Sequence, residues 1–125
     1  MTPFGQRLRQ LRAAKGVTLK EMAAEIGVSS AYLSALEHGK RGVPAWLLVQ
    51  RIISYFNVIW DDAEELERLA QISNPRMTVE TAGLCPEATE YANRLSQQID
   101  QLEPDDIREM LRFLDEKVRK PRRQT

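Results

Sequence analysis

Two short apolar stripes lie either side of a single glycine between Thr18 and Gly39, and this feature restricts the possible folds of the chain most. In LKEMAAEIGVSSAYLSALEH, residues 19–38, Leu19, Met22, Ala23 and Ile26 recur at helical spacing, as do Leu33 and Leu36. Gly27 interrupts the pattern where a tight turn needs positive φ, which glycine adopts without steric cost. Ala23 is small where the second helix must cross close to the first. Met22, Ile26, Val28, Leu33 and Leu36 then point to one core. Thr18 and Glu21 have the spacing of a capping box, and Ser29 is placed to cap the second helix. The spacing predicts helices at about 19–26 and 30–38 joined by a tight turn, the second open on its outer side.

The flanking sequence is also helical in period. Phe4, Leu8, Leu11 and Ala14 form one stripe that ends at Gly16. After the loop 40–43, Pro44 suits the first turn of a helix over about 44–56, with Trp46, Leu47, Val49, Ile52, Ile53 and Phe56 as its apolar face. Trp46, Phe56 and Trp60 read as core. Asn57 suits the left-handed conformation at that helix's end. Asp61 begins a fifth helix, with Glu64 completing a second capping box. Residues 73–86 carry two prolines and a glycine, and read as a linker with Met77–Thr81 as one short strand at most. Pro86 opens a sixth helix, over about 86–102, and Pro104 a seventh, each with an apolar stripe. The expected class is all-α, with a five-helix domain over 1–72, a linker over 73–86, a helical hairpin over 87–120 and a basic, disordered tail over 121–125.

The order of matches resembles a known family. FGQRLRQLRAAKGVTLKEMAAEIGVSSAYLSALEHGKRGVPAWLLVQRI is similar to the phage-repressor-like (Xre-type, Cro-type) helix-turn-helix domain. The features that carry the likeness are LRxxKGVT, the A-x-x-x-G-V of the turn, YLSxLExGKR, and Pro44 before the next helix. The resemblance covers about residues 4–60. It implies a lambda-repressor-like five-helix fold that binds operator DNA as a two-fold dimer and regulates transcription, with the second helix of the pair entering the major groove. Carried over residue by residue, Ser29, Ser30, Ala31, Ser34, Ala35 and His38 would face the DNA, with Tyr32 beside them. Lys20, Lys40 and Arg41 would reach phosphate. Ser hydroxyls discriminate bases weakly, and Ala31 and Ala35 offer only methyl contact. Shape readout and phosphate contacts are therefore expected to supply much of the specificity. The family also implies a partly buried ion pair between Arg12 and Glu37. At a helix C-terminus, His38 favours a charged imidazole.

Charge is distributed unevenly. The chain of 125 residues balances eighteen Lys+Arg against eighteen Asp+Glu. Residues 1–60 nevertheless hold eight bases against three acids, whereas residues 61–116 hold five against fifteen. A basic front suggests a polyanionic partner. One cysteine, Cys85, excludes an internal disulfide framework and a Cys-rich metal site. One histidine leaves a His-based triad without support. No Gly-rich phosphate loop or nucleophile–base pair is visible, so no enzymatic activity and no cofactor or metal are expected. With no apolar run of about 18 residues, no membrane association is expected, and the cytoplasm (nucleoid) is the expected location. The last two helices are each too short to stand alone. Their stripes, with Tyr91, Leu95, Ile99, Ile107, Met110, Leu111 and Leu114, and Phe113 beside them, read as the glue of a homodimer. The expected partners are double-stranded DNA and a second copy of the chain. The alternative is an antitoxin-like or other regulatory module that uses these helices to bind another protein.

Overall fold

The computed structural model describes residues 1–119. These form seven α-helices and no strand: α1 (Pro3–Lys15), α2 (Leu19–Ile26), α3 (Ser30–Glu37), α4 (Trp46–Tyr55), α5 (Trp60–Gln71), α6 (Pro86–Gln98) and α7 (Pro104–Arg119), with a 3-10 turn at Ile99–Gln101. The all-α class is thus observed. The chain divides into two compact units, Met1–Met77 and the residues from Thr78 onward. No described helix is long and apolar enough to cross a membrane.

Local chemistry fixes the ends of α1 to α3. Thr2 Oγ1 accepts the Gly5 amide at 3.0 Å and starts α1, and Gly16 ends it at φ 73°. The Thr18–Glu21 capping box forms in both directions, at 3.1 and 3.3 Å. Ser29 Oγ accepts the Tyr32 amide at 3.0 Å. Gly27 closes α2 at φ 87°, a region where a Cβ is strained.

The core of the first unit joins Phe4 and Leu8 of α1, Met22, Ala23 and Ile26 of α2, Leu33 and Leu36 of α3, Leu48, Val49 and Ile52 of α4, and Leu66 and Ala70 of α5. Burial of these side chains is the main stabilising term, at roughly 25 cal/mol per Å² of apolar surface removed from water. The two ends of the unit meet at Ser73, which is buried. Its hydroxyl accepts the Phe4 amide at 2.9 Å and donates to the Leu69 carbonyl at 2.6 Å, so one side chain satisfies a free amide of α1 and a free carbonyl of α5.

Three sequence expectations in this unit are corrected. Trp46 and Trp60 are not core: they are 68% and 82% exposed. Helix α4 opens with the apolar run Trp46-Leu47-Leu48-Val49, and only Leu48 and Val49 of these are buried. Four successive residues span more than a full helical turn, so they cannot all face one side. Pro44 precedes the N-cap Ala45 and lies outside the first turn of α4. The Asp61–Glu64 capping box is absent, because α5 begins one residue earlier, at Trp60, with Ile59 as its N-cap. Asp61 and Asp62 fall instead in the first turn, where negative charge complements the helix dipole. Asn57 does adopt the left-handed conformation, at φ 53°.

In the second unit, α6 and α7 carry no buried residue. Leu95, Leu102 and Ile107 are half-buried, while Tyr91, Ile99, Met110, Leu111, Phe113, Leu114 and Val118 are exposed. Tyr91, Leu95, Leu102 and Met110 line a shallow apolar groove. No strand forms over Met77–Thr81. The expected basic tail, 121–125, lies outside the described residues.

Candidate nucleic-acid interface

Helix α3 is amphipathic across its thickness. Leu33, Leu36 and Glu37 are buried beneath it, whereas Ser29, Ser30, Ala31 and His38 are exposed and Tyr32, Ser34 and Ala35 are half-buried. Lys20, near the start of α2, and Lys40 and Arg41, in the turn after α3, are exposed as well. Part of the hydrogen-bonding capacity of Ser29 is already used. Its oxygen caps α3, which leaves its O–H proton to donate elsewhere. The Arg41 guanidinium lies 5.4 Å from the centre of the Tyr32 ring, a cation–π distance that draws the turn towards the outer side of α3.

Two contacts hold α3 to α1. Arg12 Nη2 donates to both carboxylate oxygens of Glu37, at 2.6 and 2.9 Å. The carboxylate is buried, with Glu37 1% exposed overall. A single nitrogen straddles the pair, and Arg12 Nε is buried with no partner among the described residues. The second contact is backbone packing. An ideal Cβ on Gly5 would sit 2.1 Å from the Glu37 carbonyl oxygen, so α1 and α3 approach as closely as they do only because that position has no side chain. The Thr2 amide donates to the same carbonyl at 3.2 Å.

His38 has a partner on each ring nitrogen. Arg9 Nη2 lies 3.3 Å from His38 Nε2, and His38 Nδ1 lies 2.8 Å from the Ser34 carbonyl. A guanidinium only donates and a carbonyl only accepts. For the first contact to be a hydrogen bond Nε2 accepts from Arg9, and Nδ1 then donates to the Ser34 carbonyl.

Several residues that shape the surface were not singled out from sequence. Gly5 is one; a glycine inside a helical period is a signal of close backbone approach. Lys15 Nζ donates to the Tyr55 carbonyl at 2.8 Å and covers the Tyr55 ring, which satisfies the C-terminal end of α4. Arg51 Nη1 approaches the Ile26 carbonyl at 3.4 Å, supporting the α2–α3 turn from α4. None of these long-range contacts leaves a periodic trace. Tyr91, Leu95, Ile99, Ile107, Met110, Leu111, Phe113 and Leu114 belong to the second unit. Among the described residues, no cluster of His, Cys, Asp or Glu is suited to hold a metal.

Comparison with known proteins agrees with this architecture. A family model described as a helix-turn-helix domain matches residues 3–72, which takes in all five helices of the first unit. The chain is 39% identical over 62 residues to the HTH-type transcriptional regulator RghRB of Bacillus subtilis, covering 50% of this chain and 45% of that protein. It is 34% identical over 61 residues to the HTH-type transcriptional repressor RghR of the same organism, covering 49% and 45%. Identity to B. subtilis HTH-type transcriptional regulator SinR is 30% over 75 residues, covering 57% and 68%. The chain thus spans less than half the length of the first two relatives. No solved structure gives a significant match. With the family model covering more than half of its residues and the turn geometry in place at Gly27, the chain belongs to the helix-turn-helix domain family.

Proposed function

We propose that the chain is a sequence-specific, double-stranded DNA-binding transcriptional regulator that acts as a homodimer on a palindromic operator, with α3 as its recognition helix. The observation that carries this reading is the exposure of Ser29, Ser30 and Ala31 on α3 while Leu33, Leu36 and Glu37 anchor its inner side. Lys20, Lys40 and Arg41 supply phosphate contacts. Ser30 offers a hydroxyl to base edges, and Ala31 and Ala35 offer methyl groups to thymine. Ser29, with its oxygen engaged in capping, donates its proton to phosphate. Tyr32, Ser34 and His38 border the same surface.

Binding measured by fluorescence anisotropy across a salt series tests the reading. Lys40→Ala should weaken binding to all duplexes alike and reduce the slope of log K against log[salt] by about 0.9, the loss of one phosphate contact. Ser30→Ala should leave that slope unchanged and relax preference among sequences. If neither substitution alters binding, α3 is not the recognition helix.

The homodimer rests on the second unit. Helices α6 and α7 bury no residue, while Tyr91, Ile99, Met110, Leu111, Phe113 and Leu114 are exposed. An apolar surface of this kind is the mark of an interaction site, and a second copy covering it would supply the two recognition helices that a palindromic site, with half-sites about 34 Å apart, requires. Light scattering of the full chain should give twice the monomer mass, and Leu111→Asp with Leu114→Asp should halve it. A monomeric wild-type chain would instead favour a different protein as the occupant of this surface, in keeping with an antitoxin-like role.

A further inference from the structure

On the α1 side of the interface, Arg9 is not accounted for by the packing of the fold. It is exposed, and among the described residues no carboxylate is paired with it. Arg12, three residues further along α1, has its charge answered by Glu37. The charge of Arg9 is unanswered, and its side chain has one partner, His38, with Nη2 3.3 Å from Nε2. On α3, positions 31, 34, 35 and 38 follow one another along one side at helical spacing. His38 is the last of that row, and its own ring is held by the Ser34 carbonyl at 2.8 Å. The guanidinium is therefore anchored at the edge of the surface that carries Ala31, Ser34 and Ala35, with Lys40 two residues beyond His38 in sequence.

We propose that Arg9 is a phosphate-binding residue of the DNA interface and that the His38 imidazole is its positioning residue. The proposal rests on the reading of α3 as the recognition helix. A guanidinium has five N–H donors in a planar fork, and the contact with His38 engages one of its nitrogens. The remaining donors suit two oxygens of a phosphodiester. Holding the side chain in place beforehand lowers the rotamer entropy that a long, free arginine would lose on binding. A purely structural tie between α1 and α3 has no need of an unpaired charge, since the Arg12–Glu37 pair and the Gly5 contact already join them.

The test uses the full chain and a random-sequence DNA duplex in a salt series, with Lys40→Ala run alongside. Arg9→Ala should reduce the salt slope by about 0.9 and weaken binding on the order of tenfold at ~0.1 M salt, with its melting temperature close to wild type. His38→Ala should weaken binding severalfold in the wild-type background and have no effect in the Arg9→Ala background, because it acts through Arg9. If Arg9→Ala keeps the wild-type slope while Lys40→Ala lowers it, the Arg9 proposal is overturned and α3 remains the recognition helix. Arg9 is equally excluded as a phosphate contact if its replacement by alanine lowers the melting temperature and leaves the slope unchanged. If the wild-type chain shows no salt-dependent binding, both readings fall.

Discussion

Arg12→Ala is expected to destabilise the first unit by about 3–5 kcal/mol, because it strands the Glu37 carboxylate in the interior. Glu37 is 1% exposed, and its carboxylate oxygens accept from Arg12 Nη2 at 2.6 and 2.9 Å. The pair itself contributes less than this figure suggests, since burying two charges costs almost as much as their attraction returns. The two effects separate on double substitution. Arg12→Met with Glu37→Leu, of similar volume and without charge, should recover most of the lost stability. Urea denaturation followed by circular dichroism reads all three proteins. A loss below about 1 kcal/mol for Arg12→Ala would mean that water reaches Glu37, which its burial contradicts.

The second large effect is expected at Gly5. Any side chain there begins with a Cβ placed 2.1 Å from the Glu37 carbonyl oxygen and 2.7 Å from its carbonyl carbon. These are backbone atoms, so no rotamer change relieves the clash, and α1 and α3 must separate. Overpacking of this kind costs about 1–3 kcal/mol and sometimes more. For Gly5→Ala the upper end is expected, because separation also stretches the Thr2–Glu37 hydrogen bond at 3.2 Å and the Arg12–Glu37 pair. In a unit of this size, a loss of about 3 kcal/mol lowers the melting temperature by roughly 10–20 °C. Alanine is otherwise the better helix former, so a rise in melting temperature would show that the contact is looser than described.

The parts of this molecule that follow from local rules are legible in its sequence. The α2–α3 turn rests on Gly27 and Ser29, the α2 start on Thr18 and Glu21, and each acts within four residues of its partner. Periodicity likewise identifies Leu8, Met22, Leu33, Ile52 and Leu66, all of which are buried. It fails where a stretch is apolar on every side, as at Trp46-Leu47-Leu48-Val49, since the pattern holds no information on which side faces inward. It fails again at Trp60, which is exposed and, like Asn57, left-handed, a backbone conformation that periodicity does not anticipate. The candidate interface divides in the same way. Ser29, Ser30, Lys40 and Arg41 are placed by their position relative to one turn. Arg9 and Ser73 depend on chain segments 29 and 69 residues apart meeting in space, and no short-range signal encodes that, whereas Gly5 signals a close approach without naming the Glu37 backbone it meets.

Whether the outer side of α3 is what meets DNA can be read residue by residue from amide NMR. The full chain is titrated with the duplex it prefers among random sequences. The largest shift changes are expected over Ser29–Ala35 and at Lys20, Lys40 and Arg41, with Leu66 and Ala70 in α5 nearly unchanged. Shifts concentrated in α6 and α7 while α3 stays silent would be incompatible with α3 as the recognition helix.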